Sequence, residues 1–249
     1  MNDMQRVGAV APLRVDIAEK AFRSTEGVDV VALRGLSFEV GRGEFACLLG
    51  PSGCGKTTTL RILLGLDRQF SGHFELPDGG SSRISAVFQE PMLLPWRTVE
   101  QNIRIALPRG LKDMNLDPLC DALGLSGMRS LYPSELSLGL ARRAALARAF
   151  AMEPAILFLD EPFASLDERT ADRLRRLLIA VWSARPTTAL MVTHNLREAL
   201  LLADRIIVLS PRPAHVLGIF DVGLARQSRN AQVIDGLASE FQARFPDTG

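Results

Sequence analysis

A glycine-rich segment that follows a run of apolar residues constrains the fold of this chain more than any other feature. Residues 50–58 read GPSGCGKTT and fit the pattern G-x-x-x-x-G-K-[ST]. The preceding EFACLLG predicts a strand buried on both faces, and the following KTTTLRILLGL predicts a helix that ends at Gly65. A glycine loop in this context lets backbone N–H groups and the helix N-terminus surround phosphate oxygens. The segment therefore predicts a phosphate-binding loop with a nucleoside triphosphate as its ligand.

The side chains of this loop are of the types that a triphosphate and its metal ion need. We expect Lys56 to reach the β- and γ-phosphates and the Thr57 hydroxyl to bind Mg²⁺. The predicted nucleotide contacts from this loop are Gly50, Pro51, Ser52, Gly53, Cys54, Gly55, Lys56, Thr57 and Thr58.

Two adjacent carboxylates follow a later apolar strand, in the segment ILFLDEP. Open α/β sheets hold their ligands at the carboxyl ends of their strands, where Asp160 and Glu161 are expected to lie. Asp160 is predicted to hold Mg²⁺ through water, and Glu161 to polarise the water that attacks the phosphate. By itself, an Asp-Glu pair after a strand is weak evidence for a catalytic site. In a chain that also has a phosphate loop, it is strong evidence.

The elements around the loop predict an α/β protein with a doubly wound, mainly parallel sheet. Buried strands alternate with helices over residues 155–210. Earlier, LRVDIAEKAF and ALRGLSFEV alternate apolar and polar residues, which is typical of an antiparallel β-layer with one face in water. Residues 71–82 are rich in Gly, Ser and Asp and are predicted to form turns. Residues 91–153 carry helix-period patterns and are predicted to form an inserted helical subdomain.

Charge and cysteine usage narrow the classes of partner. The chain has 29 basic and 28 acidic residues, a net charge of +1, which gives no reason to expect nucleic acid as the main partner. Its 3 cysteines form no CxxC pair, so the sequence predicts neither a disulfide framework nor a zinc site, and a reducing cytosol is expected. The longest apolar run, Leu177 to Trp182, is far shorter than the roughly 18 residues of a spanning helix.

With these residues in place, the chain resembles the ATP-binding subunit of ABC transporters over about residues 13–210. The resemblance implies ATP and Mg²⁺ as ligands and gives roles to four further residues. Gln89 in VFQEP is similar to the residue that senses Mg²⁺ and the γ-phosphate, and Asp167 in ASLD to the residue that couples the two nucleotide sites of a dimer. His194 in VTHN is similar to the catalytic histidine that contacts the γ-phosphate. Phe22 stands where an aromatic stacks on adenine, although a strand aromatic can also belong to the core.

The segment expected to bind ATP across the dimer departs from the family pattern. The family has LSGGQ, whereas residues 136–140 read LSLGL, so that Ser137 and Gly139 are retained and Leu138 replaces a glycine. Ser137 can still offer its hydroxyl, and the helix start its N–H groups, to a γ-phosphate on the opposing subunit. One interpretation is that the variant segment still binds ATP in a homodimer, and the intact phosphate loop favours this interpretation. The other is a heterodimer in which one composite site is weakened.

Residues 88–103, FQEPMLLPWRTVEQNI, resemble the importer branch associated with nitrate, sulfonate, taurine, related small anions or thiamine-precursor-like compounds. Pro95 and Trp96 lie where the helical subdomain of that family meets the coupling helix of the permease, although Trp96 can also be a packing residue. The resemblance implies an ATPase that powers import from the cytoplasmic face of the plasma membrane. Its partners would be permease subunits, a second ATPase subunit and an external solute-binding protein. The resemblance also implies that the transported solute does not contact this subunit.

The predicted organisation is a flexible leader over residues 1–12, one ABC ATPase domain over residues 13–220 and a short tail over residues 221–249. Two other functions stay open. The chain could serve a lipid-trafficking or export system, or it could be a soluble ABC ATPase that acts on nucleic acid or ribosomes. The single phosphate loop and the balanced charge speak against the second of these.

Overall fold

Two β-sheets form the framework of the part of the chain that the computed structural model describes, residues 13–23, 27–76 and 83–246. The predicted leader, residues 1–12, lies outside the described residues. The strands are β1 (Leu13–Arg23), β2 (Asp29–Val40), β3 (Phe45–Leu49), β4 (Ser71–Glu75), β5 (Ile84–Val87), β6 (Ile156–Asp160), β7 (Thr188–Thr193), β8 (Arg205–Leu209) and β9 (Val216–Asp221). The α-helices are α1 (Lys56–Leu63), α2 (Val99–Arg104), α3 (Asp117–Ala122), α4 (Leu138–Ala151), α5 (Glu168–Ala184), α6 (Leu196–Leu202) and α7 (Ala231–Arg244).

The smaller sheet is antiparallel, with strand order β2-β1-β4, and it confirms the predicted N-terminal β-layer. At the start of β1 the buried residues Leu13, Val15 and Ile17 alternate with exposed ones. This alternation places one face of the sheet on the core and the other in water.

The prediction of turns over residues 71–82 is wrong for residues 71–75, which form the edge strand β4. This strand pairs with β1, so that Phe74 lies opposite Val15. A Cβ atom on Gly72 would lie 2.2 Å from the carbonyl oxygen of Asp16. Glycine is therefore needed where the two backbones approach each other, rather than for a turn. Residues 77–82 lie outside the described residues.

The larger sheet has the order β5-β6-β7-β3-β8-β9, and only β9 runs antiparallel to its neighbour. Along β3, Phe45, Cys47 and Leu49 pack in one apolar cluster, while Ala46 and Leu48 pack in another. The sheet is therefore covered on both faces, and the predicted doubly wound, mainly parallel sheet is confirmed. The neighbours β6, β7 and β3 end on the same edge, which brings the loops after them together.

The helices complete the core on either side of the larger sheet. Within residues 91–153 the structure has α2, α3 and α4, and α4 is buried around nearly its whole circumference. Near the C-terminus, Phe241 of α7 stacks edge to face on Phe220 of β9, with ring centroids 5.5 Å apart. No helix in the described ranges combines the length and apolar character needed to cross a membrane.

Candidate functional site

The glycine loop joins β3 to α1, as its sequence predicts. Gly53 and Gly55 have φ angles of +75° and +130°, which favour glycine. A Cβ atom on Gly55 would lie 2.5 Å from Cδ2 of Leu33 in β2. Within the loop Cys54 is buried, whereas Pro51 and Ser52 are exposed. Backbone conformation and close packing therefore both require glycine at position 55.

Lys56 folds back onto the loop that precedes it. Its Nζ donates hydrogen bonds to the carbonyl oxygens of Gly50, at 2.8 Å, and Pro51, at 2.9 Å. The side chain is only 4% exposed, so the charge lies inside the loop rather than in bulk water. A buried ammonium next to helix N–H groups is a strong attractor for phosphate.

Thr57 and Asp160 meet between α1 and the end of β6. The Thr57 hydroxyl donates to Oδ1 of Asp160 at 3.1 Å. Burial raises the pKa of Asp160, although the hydrogen bond from Thr57 opposes this rise. A nearby cation would stabilise the ionised carboxylate. Hydroxyl and carboxylate oxygens are the donors that Mg²⁺ prefers, so these residues fit a magnesium ion.

Glu161 and His194 are brought together from loops that follow two neighbouring strands. The Nδ1 atom of His194 lies 3.1 Å from Oε1 of Glu161. Gln89 joins them in lining a cleft of about 370 Å³. A second, smaller cleft connects Glu161 to the phosphate loop, because Gly53, Gly55, Lys56, Thr57, Thr58 and Glu161 line it together. Residues predicted from separate motifs therefore line two clefts that share Glu161.

The segment that departs from the family pattern lies at the start of α4. Ser137 is its N-cap, and the hydroxyl oxygen accepts a hydrogen bond from the backbone N–H of Leu140 at 3.3 Å. Leu138 is 42% exposed, and a Cβ atom on Gly139 would lie 2.7 Å from Cγ2 of Thr170. Neither Ser137 nor Gly139 lines the two clefts just described.

Asp167 immediately precedes α5, the helix whose Thr170 lies close to Gly139 of α4. Its carboxylate caps α5 by accepting a hydrogen bond from the backbone N–H of Thr170 at 3.0 Å. Hydrogen bonds from the Thr170 side chain and from its backbone N–H lower the pKa of Asp167, which favours the ionised carboxylate. The residue is therefore available at the surface beside the start of α4.

Phe22 lies on β1 with 43% of its surface exposed. The Nζ atom of Lys20 is 4.6 Å from the centroid of the ring. The exposure excludes the alternative that this aromatic belongs to the core, and it leaves part of the ring in contact with solvent.

Two arginines near the site were missed by sequence reasoning. Arg212, in the turn between β8 and β9, donates to the carbonyl oxygen of Gly53 and lines the smaller cleft with Lys56. Arg142 of α4 contacts the loop that follows β6. The local sequence around either arginine does not predict that it lies at the site, because each reaches the site from a distant part of the chain.

An exposed apolar segment follows Gln89 in the chain. Met92 and Trp96 are 60% and 68% exposed, which excludes the alternative that Trp96 is a packing residue. The turn that carries Trp96 is held by the fully buried side chain of Asn102. Its amide nitrogen donates to the carbonyl oxygens of Leu94, Arg97 and Thr98, and its oxygen accepts from the N–H of Leu94.

We expect Asn102→Ala to lower the free energy of unfolding by about 2–4 kcal/mol, because several polar groups lose a buried partner. Urea unfolding followed by circular dichroism measures the effect. Arg97→Ala is the matched control, since its side chain is exposed and only its carbonyl takes part. The control should change the free energy by less than about 0.5 kcal/mol. Equal losses in both variants would contradict this account of the turn.

Fold and site together define a nucleotide-binding protein of the phosphate-loop class. The family model described as "ABC transporter" matches residues 33–164. The chain therefore belongs to the ABC transporter family, and it is the ATP-hydrolysing subunit of such a transporter.

Several relatives cover most of the chain. It is 44% identical over 203 residues to the aliphatic sulfonates import ATP-binding protein SsuB 2 of Burkholderia lata, covering 80% of this chain and 74% of that protein. It is 44% identical over 209 residues to SsuB 1 of Pseudomonas aeruginosa, covering 80% and 84%. It is 39% identical over 220 residues to SsuB of Bacillus subtilis, covering 85% of each.

Solved structures confirm the fold. The dimeric structure of MJ0796, a bacterial ABC transporter cassette, superposes with a TM-score of 0.72 at 24% identity, covering 86% of this chain and all of that one. The post-hydrolysis dimer of MJ0796 bound to ADP and Pi gives a TM-score of 0.71 at 25% identity, again over 86% of this chain.

Proposed function

We propose that this chain is the ATPase subunit of an importer for aliphatic sulfonates or closely related small anions. The observation that carries the proposal is the 39–44% identity to sulfonate import ATP-binding proteins over 80–85% of the chain. The geometry of the phosphate loop and of the Glu161–His194 pair supports the ATPase part of the proposal.

The nucleotide site follows from these contacts. The loop from Gly50 to Thr58 would hold the phosphates through its backbone N–H groups, with Lys56 on the β- and γ-phosphates. Phe22 would stack on adenine. Thr57, Gln89 and Asp160 would hold Mg²⁺, which supplies positive charge against the phosphates when it is bound.

The protein groups act mainly by positioning, as phosphoryl transfer requires. Glu161 would orient the attacking water and accept its proton. His194 would fix the Glu161 carboxylate through the 3.1 Å contact and would face the γ-phosphate. Lys56 would compensate the charge that develops on the leaving group.

A dimer would complete each site. Two subunits would enclose two ATP molecules, each between the phosphate loop of one chain and Ser137 and Gly139 of the other, while Asp167 connects the sites. Leu138 replaces a small residue there, and its 42% exposure leaves the side chain on the surface where the partner would approach. We propose a homodimer with a working variant segment, and a heterodimer with one weakened site is the alternative.

Met92, Pro95 and Trp96 are the proposed contact for the permease, because they form an exposed apolar segment a few residues after Gln89, which lines the larger cleft. Such a contact would place the subunit on the cytoplasmic face of the membrane, with a solute-binding protein on the other side.

We also propose that the cassette spans residues 13–220, with a helical subdomain over residues 91–153 and a short tail over residues 221–249.

Purification of a tagged Glu161→Gln subunit with ATP from detergent-solubilised native membranes tests the proposal. We expect a permease of several spans to copurify, and its solute-binding protein to bind alkanesulfonates in preference to sulfate and nitrate by calorimetry. A permease with another solute would contradict the sulfonate assignment. If an export or lipid-transport permease copurified, the proposed role in import would be contradicted. The same would hold if soluble nucleic-acid partners copurified and no permease did.

The proposed adenine contact gives a separate prediction. We expect Phe22→Ala to raise the Kd for ATP by about tenfold, since stacking on an aromatic contributes about 1–3 kcal/mol per base. Equilibrium binding by calorimetry measures it, with Phe22→Tyr expected to bind like the natural chain. Val30→Ala, opposite Phe22 on β2, is the control. Binding of inorganic tripolyphosphate should not change, and an equal loss for this ligand would contradict stacking.

A further inference from the structure

A buried arginine of α4 holds the loop that carries Glu161. Arg142 is only 3% exposed. Its Nη1 donates to the carbonyl oxygens of Glu161, at 3.3 Å, and Pro162, while Nη2 donates to the carbonyl oxygen of Ala164. One planar guanidinium therefore gathers three carbonyls of a four-residue loop, which a shorter or single-headed side chain cannot do.

The backbone of Glu161 depends on such support. This residue has a φ of +42°, a strained conformation for a non-glycine residue that persists only where the surrounding structure holds it. Its N–H donates to the carbonyl oxygen of Val192 in β7 at 3.0 Å, and its own carbonyl accepts from Arg142. The sheet thus holds one side of the peptide and α4 holds the other, which aims the carboxylate at His194.

Helix α4 connects this loop to the surface at Ser137. Ser137 caps the helix and Arg142 lies five residues later, about 7.5 Å along the axis. The buried residues of α4 are Gly139, Arg142, Arg143, Ala144, Ala145, Leu146, Ala147, Ala149 and Ala151. A helix packed on nearly all sides moves as a unit, so a displacement at Ser137 reaches the guanidinium of Arg142.

We propose that Arg142 is a positioning residue that couples the two ATP sites of the dimer through one chain. Ser137 of this chain contacts the nucleotide held by the opposing subunit, and Glu161 acts on the nucleotide held by this chain. Arg142 fixes the position of α4 relative to the Glu161 loop, so that closure on the opposing nucleotide sets the catalytic carboxylate on this one. The proposal rests on the sandwich dimer proposed above.

Steady-state kinetics of the full-length chain with Arg142→Gln and Arg142→Lys tests the coupling. We expect the Kd of the isolated subunit for ATP to stay within about twofold, because Arg142 is not among the residues that line the small cleft at the phosphate loop. The kcat should fall about tenfold or more in Arg142→Gln, and the Hill coefficient for ATP should fall toward 1. Arg142→Lys keeps the charge and should recover part of both.

Arg148→Gln is the matched control on the same helix. Arg148 also donates to two carbonyls, those of Pro91 and Met92, but in a different segment. We expect this variant to lose stability comparable to Arg142→Gln and to keep the Hill coefficient of the natural chain. Loss of cooperativity in both variants, or in neither, would overturn the coupling and leave Arg142 as a brace of the core.

Amide hydrogen exchange tests the coupling without any substitution at Arg142, and it therefore applies even if the Arg142 variants fail to fold. We expect ATP to slow amide hydrogen exchange in residues 161–164 of the natural chain, and Ser137→Ala to remove this effect. Equal protection in Ser137→Ala would overturn the coupling. A natural chain that hydrolyses ATP without cooperativity and stays monomeric would overturn the dimer together with the coupling, whereas a cooperative Arg142→Gln overturns the coupling alone.

Discussion

Glu161→Gln is expected to lower the kcat for ATP hydrolysis by about 10²- to 10⁴-fold, the usual contribution of a positioned general base. The amide keeps the size of the side chain and can still contact His194, but it cannot accept the proton of the attacking water. The Kd for ATP should stay within about threefold, because the phosphate loop is untouched. The ATP-bound dimer should therefore persist, since the γ-phosphate that holds it is not removed.

Phosphate release measures the kcat, and size-exclusion chromatography with ATP measures the dimer. Glu90→Gln is the control, because it makes the same chemical change at an exposed position next to Gln89. The control should keep its kcat within about twofold. Equal turnover by Glu161→Gln and the natural chain would exclude Glu161 as the base.

Lys56→Ala is expected to raise the Kd for ATP by about 100-fold or more. The variant removes a charge that is 4% exposed, and charge-assisted hydrogen bonds to phosphate are among the strong ones. It also removes the two hydrogen bonds that Lys56 donates within the loop, so that the loop loses its internal support. The expected change corresponds to about 2.7 kcal/mol of binding free energy.

Calorimetry with ATP and with ADP measures this loss. Lys112→Ala, which removes an exposed lysine, should bind ATP as the natural chain does. Lys56→Arg keeps the charge but not the compact shape, and we expect an intermediate Kd. Tight ATP binding by Lys56→Ala, with an unchanged unfolding transition, would exclude the proposed phosphate contact.

Local sequence was enough to predict the framework of the site. The loop after β3 and the carboxylates after β6 each follow a buried strand, and parallel strands that share an edge bring such loops together. Family resemblance added His194, whose Nδ1 atom lies 3.1 Å from Oε1 of Glu161, and Gln89, which lines the same cleft.

Other features depend on contacts between distant parts of the chain. Glycine in β4 predicts a turn locally, and only the approach of β1 explains it as part of a strand. Arg142 lies within a run of helix-forming residues. Nothing in this run predicts that its side chain is buried or that it contacts three carbonyl oxygens. Arg212 reaches Gly53 across 159 positions. Side chains that act through such contacts leave no periodic signal.

The contact between Leu33 and Gly55 ties the two sheets together at the phosphate loop. The N–H of Ala214 donates to the carbonyl of Ala32, and the N–H of Arg34 donates to the carbonyl of Ala214. The sheet that presents Phe22 and the loop that holds Lys56 are therefore parts of one rigid frame. With the base on Phe22 and the phosphates on the loop, as proposed above, this frame would set the span from base to terminal phosphate before any nucleotide binds. A nucleotide with fewer phosphates would then bind at the base end and leave the space beside Glu161 empty.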